Sequence, residues 1–227
     1  TPIVVNDSRG FFTSRTFGTF VQEGCAMLAE GIPAAVIENA ARQAGMPVGP
    51  LEVIDQTSMS LSLHVMEQTV ADLKAEGKPL PPEHPGQKVI LKMVKELNRP
   101  GRAAGGGFYD YPKDGRKTLW PELAKIFGRS GVPFDVEEMK DRILYRQAIE
   151  AARCLEEGVL TSMHDANIGS IFGIGFPAWT GGALQFVNHV GVRKFAGRAD
   201  ELAKKYGERF APPRLLRDLA AKGEALR

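Results

Sequence analysis

The sequence predicts an all-α fold built from two tandem copies of one helical unit. Three observations lead there. Apolar residues recur at helical spacing along most of the chain. Glycines and prolines punctuate those stretches where helices stop and start. The order of segments in the first half returns in the second with matching punctuation. Alternation of the strand type is confined to a few residues, which leaves no room for a sizeable sheet.

Taken in order, Ile3, Val4 and Val5 read as a short buried strand or its tail. A first helix is predicted from Phe11 to Glu30, with Phe17, Phe20, Val21, Met27 and Leu28 on its apolar side and Gly31 as its stop. Ala34 to Ala44 is a second helix, ended by Gly45. Met46-Pro-Val-Gly-Pro50 is a rigid turn, and Pro50 suits the first position of a third helix, Leu51 to Gln56. Leu61 to Leu73 is a fourth helix, Lys78 to Gly86 a proline-rich loop, and Lys88 to Leu97 a fifth helix. Gly101 to Gly107 is an irregular loop of close approach, and Phe108 to Tyr111 a short extended piece.

The second half repeats this. Arg142 to Glu157 is a long helix ending at Gly158, and Cys154-Leu-Glu-Glu-Gly-Val159 parallels Met27-Leu-Ala-Glu-Gly-Ile32. Asp165 to Phe172 matches the second helix, Phe176 to Gly182 the rigid turn, Leu184 to Asn188 the third helix, Arg198 to Tyr206 the fourth and Pro212 to Leu219 the fifth. The predicted domains are residues 1–116 and 117–227, joined through a linker of about Pro112 to Val136. Tandem copies bury a shared apolar face, so an intramolecular pseudo-dimer is expected.

Composition bounds the function. The chain has 227 residues, 43% hydrophobic and 25% charged, which is globular rather than disordered. A formal net charge of +2 gives no electrostatic case for nucleic acid or a membrane surface. Two distant cysteines, Cys25 and Cys154, argue against a disulfide scaffold or a zinc site and for a reducing compartment. No apolar run reaches the roughly 18 residues of a membrane span. The opening Thr-Pro-Ile-Val-Val, without Met, reads as a strand end cut from something longer, the alternative being a small protein that has been processed or cleaved from a tag.

No self-contained active site is legible. There is no phosphate-binding loop, Gly-x-Ser-x-Gly elbow, His-Glu-x-x-His or Cys-x-x-Cys. Gly173-Ile-Gly-Phe-Pro-Ala178 fits a dinucleotide fingerprint in letters, but it follows a helix instead of a strand and reads as an inter-helix turn. Of His64, His84, His164 and His189, none has a carboxylate or cysteine at a telling spacing; His84 is expected to be solvated and His64 to face the core or a cleft. The glycines of 101–107 either let backbone approach a ligand, with Arg102 near an anion, or let the chain cross its own helices. Asn6 to Arg15 joins the strand end to the first helix, and its polar residues either face a ligand or partner domain or simply cap the helix.

Together these segments resemble the C-terminal region of 3-hydroxyacyl-CoA dehydrogenases. Val5 to Arg15 resembles the family's passage from the Rossmann domain into Gly-Phe, two residues, then Asn-Arg. Gly45 to Asp55 is similar to the Pro-Met-Gly-Pro turn and its helix, and Gly101 to Tyr111 to the Gly-Arg-Lys-Thr-Gly-x-Gly-Phe-Tyr segment. The second copy, with Leu155-Glu-Glu-Gly158 and Gly173 to Gly182, resembles the duplicated domain of multifunctional β-oxidation α-subunits, which join an enoyl-CoA hydratase to the dehydrogenase.

The resemblance implies a helical fold like the C-terminal domain of 6-phosphogluconate dehydrogenase. It implies an NAD-dependent, cytoplasmic oxidoreductase of fatty-acid β-oxidation acting on acyl-CoA, with a bacterial source suggested by Ala-, Arg- and Gly-rich usage. The catalytic His and Glu, the NAD-binding Rossmann domain and the hydratase domain would lie upstream, so this stretch alone is expected to be inactive. A thiolase subunit is an implied partner. Ser14 stands where the family's substrate-facing Asn would be; Asp7, Ser14 and Arg15 are the substrate-side candidates. Ala103 stands at the family's NAD-side Lys, leaving Arg102 as the cofactor-side candidate. No metal site is implied. Two rivals remain at this stage: another NAD(P)-dependent 3-hydroxyacid dehydrogenase, or a non-catalytic helical interaction module. A mobile, unseated Ile3 to Val5 would favour the module.

Overall fold

The computed structural model describes residues 2–227. Helix α1 (Thr13–Ala29) is followed by α2 (Ala34–Gln43), α3 (Pro50–Thr57), α4 (Met59–Ala75) and α5 (Pro85–Leu91), which runs on as a π-helical turn, Lys92–Glu96. A 3-10 turn at Arg102–Ala104 leads to β1 (Tyr109–Asp110), paired antiparallel with β2 (Thr118–Leu119). Then come α6 (Leu123–Ile126), α7 (Val136–Glu156), α8 (Met163–Ile174), α9 (Ala183–Val190), α10 (Val192–Tyr206) and α11 (Arg214–Lys222). The fold is all-α; among the described residues the one sheet is the two-residue ribbon. No helix among them is long and apolar enough to cross a membrane.

The chain forms two compact units, each discontinuous in sequence. The first gathers the residues up to Phe20, Ala41–Pro47 and Glu137–Arg227; the second gathers Val21–Ala40 and Val48–Val136. In the first unit an apolar core runs through α7, α8, α9 and α10, with Phe12 and Ala44 as members. Tyr145 stacks on Phe195 at 4.3 Å and meets Phe186 edge-on at 5.7 Å, pairings worth about 1 kcal/mol beyond the area they bury. Arg142 is also fully buried, its guanidinium 3.8 Å from the Tyr206 ring centroid. In the second unit α4 packs on α3 and on α5, over buried Leu51, Ile54, Met59, Leu63, Val89 and Ile90.

Several expectations are corrected. α1 begins at Thr13 because Gly10 and Phe11 both take positive φ, forming a turn that no helix continues. α5 starts at Pro85, three residues early, because His84 caps it. α7 starts at Val136, where Glu137 and Glu138 suit a helix N-terminus and Met139 is buried; the predicted linker therefore holds β2, α6 and the α7 start. α10 starts at Val192 instead of Arg198, with Phe195, Ala196, Ala199 and Leu202 on its buried face. Ile3 and Val5 do find a seat: both pack on the first unit's core, and Val5 bridges Leu160. Val4, expected to be buried with them, is 79% exposed.

Candidate functional site

In the first unit the segment before α1 is pinned at both ends. The Asn6 backbone N–H donates to the Val159 carbonyl at 2.9 Å, and its side-chain amide to the Gly158 carbonyl at 2.7 Å. Phe12 is fully buried in the core. Arg15 donates from Nε to Glu150 at 2.8 Å and from Nη1 to Glu157 at 2.6 Å. Glu150 is buried, so this pairing is partly shielded from solvent and holds α1 to α7. Gly10 lies over Ser14 and Arg15, close to both side chains. Ser14 remains exposed at this turn, its hydroxyl open as donor and acceptor. Asp7 is exposed on the same segment.

In the second unit the glycine loop is held by a carboxylate that sequence reasoning did not single out. Asp55, in the last turn of α3, accepts from the backbone N–H groups of Phe108 and Tyr109, each at 2.9 Å, and from the Tyr111 hydroxyl at 3.1 Å. Gly107 must be glycine: a Cβ there would stand 2.0 Å from Asp55 Oδ1. Burial pushes the Asp55 carboxyl up to about 6, against those same amide bonds, which hold it down. Burial and the nearby Asp55 charge likewise push the Tyr111 hydroxyl up. Arg99 closes the loop from the other side, donating to the Gly107 and Tyr109 carbonyls at 2.8 and 3.0 Å and pairing with Asp110. Its guanidinium also covers the half-buried Trp120 ring at 4.2 Å. Arg102 sits exposed on the 3-10 turn, 5.8 Å from the Tyr111 ring centroid.

Glu38 was also missed. Its Oε1 accepts from the Leu51 N–H at 2.8 Å, capping α3, and its Oε2 accepts from the buried Tyr109 hydroxyl at 2.7 Å. Gly49 makes room: a Cβ there would meet the Glu38 carboxylate at 2.3 Å. In the first unit Asn167 does the equivalent work. Its Oδ1 accepts from the Leu184 and Gln185 N–H groups at 3.1 and 3.0 Å, beneath Gly182, whose Cβ would meet Asn167 at 2.5 Å. Beside that corner Trp179, 64% exposed, donates to the Ala44 carbonyl at 3.3 Å.

The four histidines differ in burial. His84 is buried rather than solvated, and Glu23, fully buried, lies 3.7 Å from its Nε2. A carboxylate partner therefore exists, hidden from sequence spacing by its distance along the chain. His84 Nδ1 accepts from the Gly86 N–H at 3.1 Å, which caps α5. His64, expected at a core or cleft, is exposed, as are His164 and His189. Cys25 and Cys154 are free and buried; burial pushes both thiols up, Cys154 to about 12. Gly173 lies within α8 and Gly175 ends it in the left-handed region, so the fingerprint-like letters form a helix stop. Asp7, Ser14 and Arg15 thus share one segment of the first unit, and Arg102 belongs to the loop of the second.

Residues 10–111 match the family model described as "3-hydroxyacyl-CoA dehydrogenase, C-terminal domain". The chain is 33% identical over 213 residues to the fatty acid oxidation complex subunit alpha of Vibrio cholerae, in two strains; the match covers 93% of this chain and 29% of the relative. It thus spans under a third of the length of these curated relatives. Among solved structures it is similar to 3-hydroxybutyryl-CoA dehydrogenase from Escherichia coli K12, with a TM-score of 0.69 and 20% identity, covering 98% of this chain and 62% of that one. It is also similar to the dehydrogenase part of multifunctional enzyme 1 from C. elegans, with a TM-score of 0.67 and 22% identity, covering 96% and 49%. At these identities the structures establish a shared fold.

Proposed function

We propose that this chain, whose residues 10–111 match the C-terminal-domain model of the 3-hydroxyacyl-CoA dehydrogenases, is the helical part of an NAD-dependent enzyme of fatty-acid β-oxidation that oxidises 3-hydroxyacyl-CoA to 3-oxoacyl-CoA. The observation that carries the reading is the ordered set of a pinned segment before α1, the Pro-Val-Gly-Pro corner and the carboxylate-held glycine loop, on a chain one-third identical to an oxidation-complex α-subunit. In this reading Ser14 meets the substrate near the reacting carbon, and Arg15 holds that turn through Glu150 and Glu157. Asp7 lies on the substrate side and Arg102 on the cofactor side.

The described residues do not suit a whole dinucleotide. They hold no strand–turn–helix for the pyrophosphate, and Arg102 is a single exposed cation. The proposal therefore gives the NAD site and the His–Glu base to an upstream Rossmann domain, with a hydratase domain before it. A thiolase subunit is the proposed partner protein, and the cytoplasm the proposed compartment.

We also read the chain as tandem copies, divided by sequence at 116/117. Three geometric parallels support it. The first long helix of each half stops at a positive-φ glycine, Gly31 or Gly158. The second stops at another, Gly45 or Gly175. The fifth residue of each second helix, Glu38 or Asn167, caps the next helix over a bare glycine.

The test is absorbance-followed hydride transfer from NADH to acetoacetyl-CoA, comparing this chain with a version extended upstream through the Rossmann domain. Activity only in the longer protein supports the reading. Activity in residues 1–227 alone overturns the assignment of the base, and silence in both shifts the weight to an interaction module.

A further inference from the structure

A second kind of site lies on the second unit, away from the glycine loop. A cavity of about 250 Å³ opens where the end of α1, the α5–π helix and α6 converge. Its accessible apolar surface comes mainly from Ile126 and Phe127, with Val89 buried beneath them, and its charged border from Lys88, Lys92 and Arg129. No carboxylate lines it. The volume holds about eight water-sized groups at ~30 Å³ each, enough for a short aliphatic chain.

The three cations differ in what they touch within the protein. Arg129 lays its aliphatic stem on the bare backbone of Gly31, which stands at φ +94; a Cβ on Gly31 would come within 2.9 Å of that stem. The stem packs there while the residue as a whole is exposed and borders the cavity. Lys92 opens the π-helical turn, a widening of the helix that is rare and recurs at functional sites. Its ion pair with Glu96, and that of Lys88 with Glu83 at 3.8 Å, lie on the surface, where such pairs are worth under about 1 kcal/mol and yield readily to a better anion.

We propose that this cavity binds a small amphipathic carboxylate, its head met by Arg129, Lys92 and Lys88 and its chain laid on Ile126 and Phe127 above Val89. Arginine supplies a planar fork that matches a carboxylate, and the apolar surface selects against a bare anion. The site is independent of the dehydrogenase reading, since it uses neither the segment before α1 nor the glycine loop.

The experiment is calorimetric and amide-NMR titration of the full chain with hexanoate, beside acetate and 1-hexanol. Expected is saturable hexanoate binding with Kd near or below about 1 mM, and shifts clustered at Val89, Ile126 and Phe127. Arg129→Gln should weaken it about tenfold while leaving the melting temperature unchanged, the loss of one charge-assisted contact. Acetate and 1-hexanol should each bind at least tenfold more weakly, by the same conversion. Absence of saturation, unchanged affinity in Arg129→Gln, or acetate binding as well as hexanoate would each overturn the proposal. A fall in melting temperature in Arg129→Gln with hexanoate binding intact would also overturn it and leave Arg129 as a brace for the end of α1.

Discussion

At the α2–α3 corner Glu38 reaches forward to cap α3, and at the α8–α9 corner Asn167 does the same for α9. Both corners pass under a glycine that leaves space for the cap. They differ in charge and in workload. Glu38 spends its second oxygen on the Tyr109 hydroxyl and so ties the corner to the glycine loop, whereas Asn167 serves α9 alone. The loop's other holder, Asp55, is also a buried carboxylate. One helical corner can therefore be built neutral and local, or charged and coupled to a neighbouring loop. The charged version ties the corner of the second unit to closure of its loop.

The sharpest challenge to that contrast is Gly107→Ala. The new methyl would overlap Asp55, so either the loop or α3 must move, at a cost of ~3 kcal/mol in chemical denaturation. A loss under about 0.5 kcal/mol, the range of an ordinary surface substitution, would mean that the loop is not seated on Asp55. Next comes a matched pair. Glu38→Ala strands two buried donors, the Leu51 N–H and the Tyr109 hydroxyl, and should cost ~2–3 kcal/mol. Asn167→Ala removes a helix cap and should cost about 1 kcal/mol. Equal losses would erase the distinction.

The contrast also has a reading in pH. The carboxyl of Asp55 sits at about 6 when folded, above its solvated value of ~4, so the native state binds that proton more tightly than the unfolded chain does. The stability this adds is complete below about pH 4 and is lost as pH rises through about 6, on the order of 3 kcal/mol. Denaturation midpoints of wild type and Asp55→Asn across that window should differ in slope, with the variant flatter. Parallel slopes would show that Asp55 keeps the same proton affinity in both states.

Much of this architecture was legible because it is punctuated. Pro50 at the head of α3 and the stops at Gly31, Gly45 and Gly158 are local chemistry, readable without knowing any long-range contact. The starts of α7 and α10 were missed because their first turns are polar or glycine-flanked and gain their place from burial on other helices. The site was less legible for the same reason. Asp55 and Glu38 are ordinary carboxylates on amphipathic helices until folding sets them under Tyr109, Tyr111 and the Phe108 amide. His84 looked solvated amid prolines, yet Glu23 and the α5 cap draw it inside. Arg15 was visible as a candidate, but Glu150 and Glu157, which occupy it, lie more than a hundred positions away.

The two tryptophans fall one to each unit. Trp120 lies beneath the Arg99 guanidinium beside the glycine loop, and Trp179 stands largely in solvent against Ala44. The protein thus carries two native fluorophores of contrasting polarity, one per unit. With Trp179→Phe the emission reports the loop side alone, and with Trp120→Phe it reports the α8–α9 corner alone. A single denaturant series read at both settings can separate unfolding in one step from unfolding in two, without any attached dye.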